Sequence, residues 1–146
     1  MKFMLCGAPT IGTFDGANIE IVKLAGEENN YIFGLREEEV EKVKSLYDGV
    51  QIYESSDRVR MAVDALTDGT LEKDECFSKI KKLLLENDRY MVLADFESFA
   101  ETAERAAHDW KNKKEYFKKS LMNTASSAYF SSDRTVREYA KEIWKI

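Results

Sequence analysis

Thr10-Ile11-Gly12-Thr13-Phe14, then Asp15-Gly16-Ala17-Asn18-Ile19-Glu20-Ile21-Val22-Lys23-Leu24-Ala25-Gly26, then Tyr31-Ile32-Phe33-Gly34: the order of these three runs decides the fold. The first and third are short and apolar, which predicts two buried strands. In the middle run Ala17, Ile19, Ile21, Val22, Leu24 and Ala25 fit a helix. Asp15 is its expected N-cap, with a carboxylate that accepts from backbone N–H groups two or three residues on. Gly26 is its expected stop. Strand, helix and strand with short joints predict a parallel βαβ unit within an α/β layer. Two strands are too few for a self-sufficient sheet. The pattern therefore reads as the edge of a larger sheet, and predicts self-association or pairing with a missing upstream part.

Working outward, residues 1–8 are apolar enough for a short helix or a strand, and Pro9 ends whichever forms. Beyond Gly34 the texture is helical. Helices are expected over 36–47, 51–67, 72–86, 96–110, 113–127 and 133–145, with Asp95 and the Ser131-Ser132-Asp133 stretch as caps. Residues 90–94 read as extended or irregular. The fold class is thus α/β and mostly helical, with short parallel strands: a single unit, 1–50 βαβ-like and 51–146 helical.

The chain has 146 residues, 44% hydrophobic and 34% charged, with two cysteines and a net charge of −5. No stretch approaches the roughly 20 apolar residues of a membrane span, and no signal peptide is visible. Two distant cysteines make no disulfide framework, so a reducing cytoplasm is expected. The negative balance argues against a nucleic-acid or anionic-membrane partner. Residues 109–146 are locally basic, with nine Lys/Arg against five Asp/Glu. Their interleaved acids (Glu115, Asp133, Glu138, Glu142) make them surface helices rather than a binding tail.

Motifs for chemistry are sparse. There is no phosphate-binding P-loop, no Gly-x-Gly-x-x-Gly after a strand, and no Cys/His spacing suited to a metal. His108 sits in a late helical run without a nucleophile elbow, and reads as a packed or half-exposed helix residue. Asp15 occupies a helix start that would otherwise suit an anion, so it reads as structural. Lys2 stands out, flanked by Met1, Phe3, Met4 and Leu5. Such a lysine either snorkels to water or is buried with a lowered pKa, as a Schiff-base lysine requires. Texture alone favours snorkelling.

Met1–Glu20 closely resembles the stretch around the cofactor lysine of the α-glucan phosphorylases. The likeness continues through Ala25–Asn29 and Ile32–Gly34, through Asp88-Arg89-Tyr90 and Ala94-Asp95-Phe96, and through Phe130–Thr135 with Tyr139–Trp144. It therefore runs the length of the chain. The resemblance implies the C-terminal part of a GT-B enzyme, in which two Rossmann-like domains face a cleft. It implies phosphorolysis of α-1,4-glucans such as glycogen or maltodextrin to glucose 1-phosphate, with glucan and orthophosphate as partners in the complete enzyme. It also implies pyridoxal 5′-phosphate on a lysine, acting through its phosphate; by position that lysine is Lys2, in a buried setting. No other catalytic residue and no metal ligand is expected here. The phosphate-holding Gly-rich segment and the remaining catalytic groups would lie upstream, so the chain alone is expected to be inactive. The alternative is a non-catalytic helical interaction module, or a complementing fragment, derived from a phosphorylase. Two positions depart from the family pattern: Cys6 replaces the usual Asn, and Pro9 the usual Leu.

Overall fold

A computed structural model describes residues 1–71 and 74–146. It is mostly helical, with one short two-stranded parallel sheet. The chain forms two compact units, Met1–Ile32 with Thr102–Ile146, and Phe33–Glu101. The expected division between 1–50 and 51–146 falls inside the second.

In the first unit the undecided N-terminal run is a helix, α1 (Lys2–Leu5), of a single turn. It turns Met4 inward at 1% exposure and leaves Met1, Phe3 and Leu5 exposed. Strand β1 (Ile11–Thr13), helix α2 (Gly16–Ala25) and strand β2 (Tyr31–Phe33) follow in the expected order. The Tyr31 amide donates to Thr10 O at 2.8 Å. Asp15 takes the extended N-cap backbone, but its side chain does not cap the helix. Its Oδ2 accepts from the Thr13 hydroxyl at 3.1 Å instead. Ile21 and Ala25 pack with Met4 and with Phe130, which is the core of this unit. Helix α7 (Val92–Lys111) ends in it; α8 (Lys113–Ser126) and α9 (Ser132–Tyr139) complete it. The helix expected over 133–145 thus stops early and continues as a π turn over Ala140–Trp144. Ser131 makes no side-chain cap bond.

The second unit holds α3 (Glu37–Val43), α4 (Gly49–Ser55), α5 (Asp57–Asp64) and α6 (Glu75–Glu86). The helix expected over 51–67 is two helices. Ser56 adopts an extended conformation (φ −119°, ψ 118°), and its hydroxyl accepts from Val59 N at 3.2 Å to cap the second. A serine can compete with the backbone in this way even inside an amphipathic pattern. Asp48 likewise caps α4, accepting from Val50 N at 2.9 Å and Gln51 N at 3.1 Å. The helix expected from residue 72 begins, among the described residues, at Glu75; residues 72 and 73 lie outside them. Residues 92–94, expected to be irregular, belong to α7. Asp95 is therefore inside that helix and not its cap; its carboxylate accepts from Leu35 N at 2.8 Å. Val59, Val63 and Leu93 form the core, with Ile52, Tyr53, Leu84, Leu85 and Phe96 around them.

Candidate functional site

Lys2 is the first residue of α1, and a one-turn helix has one inward face. Met4 takes it, so Lys2 is exposed. The amine is thus exposed to solvent in this chain and lacks the buried setting that the resemblance implies. Lys2 borders an open depression of about 290 Å³ with Met1, Leu5, Ser127, Ala128, Phe130 and Ser131. Phe130 and Ser131 come from the last stretch of phosphorylase likeness, so folding brings the two ends of the resemblance together. Gly7 permits a close approach of the turn after α1 to α8. A Cβ there would lie 2.5 Å from Ser120 Oγ on α8, and its φ is +76°.

The turn after Lys2 is held by polar side chains. Asn18 Nδ2 donates to Thr13 O at 2.9 Å, and a Cβ on Gly12 would lie 2.7 Å from that nitrogen. Asn30 Oδ1 accepts from Thr10 N at 3.0 Å. Cys6 is exposed and Pro9 half-buried.

A depression with an apolar wall and a primary amine suits the aldehyde and ring of the pyridoxal 5′-phosphate that the resemblance implies. Besides Lys2, the polar side chains in its lining are those of Ser127 and Ser131. The described residues fit the carbonyl end of that cofactor and not its phosphate end.

Other sequence candidates fall elsewhere. Asp88 and Asp95 belong to the second unit and act structurally. Asp88 Oδ2 accepts from the Tyr47 hydroxyl at 2.6 Å, with burial and this carboxylate pushing the phenol pKa upward. His108 is exposed rather than packed, 3.7 Å from Asp109 Oδ1.

A polar network in the first unit was not read from the sequence. Tyr31, 2% exposed, donates to Asp109 Oδ2 at 3.1 Å, and its pKa is pushed upward by burial and by that carboxylate. Lys119 Nζ lies 3.6 Å from the same oxygen and donates to Glu28 O. Asn123, fully buried, donates to Asn29 O at 2.8 Å. The partners are up to 94 residues apart in sequence, and no local spacing announces them.

A sequence profile of the family described as carbohydrate phosphorylase matches residues 1–146. The chain is 45% identical to the brain form of glycogen phosphorylase from Rattus norvegicus, over 100% of this chain and 18% of that protein. It is also 45% identical to glycogen phosphorylase from Bacillus subtilis (strain 168), over 100% of this chain and 19% of that protein. It is 42% identical to the muscle form from Ovis aries, over 100% of this chain and 18% of that protein. The chain thus spans less than one fifth of the length of the curated relatives it matches.

Proposed function

This chain belongs to the carbohydrate phosphorylase family, and from that premise we propose that it serves as a C-terminal portion of an α-1,4-glucan phosphorylase. The complete enzyme would use orthophosphate to release glucose 1-phosphate from glycogen or maltodextrin. Lys2 would be the amine that holds pyridoxal 5′-phosphate in the complete enzyme. One observation carries the reading: the likeness covers every residue, Lys2 included. The depression beside Lys2 supports it, since it leaves the amine accessible. The reading gives this chain no turnover of its own. Such catalysis depends on positioning and on electrostatic stabilisation by groups beyond these residues. The cytoplasm is the proposed compartment, where the free thiols of Cys6 and Cys76 persist. Among the described residues no helix is long and apolar enough to cross a membrane.

The test replaces the corresponding segment of the Bacillus subtilis relative with this chain. The purified chimera is treated with pyridoxal 5′-phosphate, reduced with borohydride and mapped by peptide mass. The expected adduct is on Lys2, and Lys2→Ala removes it. A folded chimera labelled elsewhere overturns the assignment. A second reading, a non-catalytic module that complements an upstream phosphorylase portion, is favoured by the exposed Phe3, Leu5, Ile143 and Trp144. It predicts tight association with that portion and no dependence on Lys2.

A further inference from the structure

Helix α8 is amphipathic the wrong way round for a surface helix. Its inward side is polar: Asn123 is fully buried, and the half-buried Lys119 is bonded to Glu28 O and lies beside Asp109. Its outward side carries Lys114, Phe117, Lys118 and Leu121, four positions that fall on one helix face. All four are exposed, Phe117 at 57% and Leu121 at 67%. A solvated helix face ordinarily concentrates polar residues. An outward row of apolar side chains flanked by charge marks an interaction surface.

Charge selects the occupant. A symmetric α8-on-α8 pairing would gather two copies each of Lys114 and Lys118 into one interface with no acidic counterpart in the row, and like charges crowded together are repulsive. The residues of the first unit carry 12 Lys/Arg and 10 Asp/Glu, whereas Phe33–Glu101 carries 10 and 17. The acidity is densest on α3, where Glu37, Glu38, Glu39 and Glu41 are all exposed, with Leu46 exposed just beyond. We propose that the outward face of α8 docks on the acidic α3 segment of a second copy of this chain. The contact joins two different surfaces, so it is head-to-tail, and it grows past a dimer unless a ring closes. It goes beyond the phosphorylase reading and does not depend on it.

Sedimentation velocity of the whole chain tests the proposal across protein concentration, at about 0.02 M and about 0.5 M salt. The expected result is a concentration-dependent series of species at low salt, weakened about tenfold or more at high salt. Lys114→Glu with Lys118→Glu should give a monomer, and so should Glu38→Lys with Glu41→Lys. Mixing the two charge-reversed proteins should restore a complex. Circular dichroism checks that each variant is folded, and Leu121→Ser provides a charge-neutral second variant that should also weaken association. A wild-type monomer at every concentration and salt overturns the proposal. So does association that the reversals leave unchanged, or a mixture of folded reversed variants that stays monomeric.

Discussion

Asp88 gathers three donors: the Tyr47 hydroxyl at 2.6 Å, Tyr90 N at 3.2 Å and Leu93 N at 3.3 Å. Burial and this carboxylate both push the Tyr47 pKa upward. A tyrosine in the unfolded chain ionises near pH ~10, while Tyr47 in the fold keeps its proton. Above that pH the unfolded state binds fewer protons, so stability falls as pH rises. Tyr31, raised by burial and by Asp109, adds to the same slope. Urea unfolding should therefore show a lower midpoint at pH ~10.5 than at pH ~8. Tyr47→Phe should cost about 1 kcal/mol at neutral pH and flatten the alkaline decline. An unchanged alkaline slope in that variant would contradict the assignment. The motif residues at 88–90 were legible as a resemblance. Their work as a hydrogen-bond hub was not, because the Tyr47 partner is 41 residues away.

Element boundaries depend on single side chains that periodicity ignores. Ser56 ends α4 and starts α5, accepting from Val59 N at 3.2 Å and donating to Glu97 Oε1 at 2.7 Å. Ser56→Ala should lower stability by about 1 kcal/mol, read as a drop in the thermal midpoint by circular dichroism. Ser56→Thr, which keeps the hydroxyl, should recover most of it. Helix α7 begins at Val92, directly after Met91, which holds φ +52°. A buried methionine in the left-handed region is uncommon, and no sequence signal marks it. The reverse holds at Gly34. Its φ of +78° and the 2.7 Å approach of Asp95 to a hypothetical Cβ explain why the strand Tyr31-Ile32-Phe33 must stop at a glycine.

For the whole molecule, exposed apolar side chains on α1 and along the C-terminal turn are the physical ground for a covering partner. Trp110 and Trp144 are 51% and 56% exposed. In the folded chain both should be quenched by acrylamide. In a Trp110→Phe variant, adding the upstream portion of a phosphorylase relative should shift the Trp144 emission to the blue and protect it from quenching. Unchanged quenching despite binding would place the covered surface elsewhere. The order strand, helix, strand, the helical run beyond it and the family were all legible in the amino-acid order, because periodicity and a contiguous motif are local quantities. Packing alone settles that α1 turns Met4 inward and Lys2 outward, that α8 shows Lys114, Phe117, Lys118 and Leu121 to solvent, and that Asn123 reaches Asn29. Which face of an element is covered depends on what chain segments distant in sequence bring against it, and no local pattern encodes that.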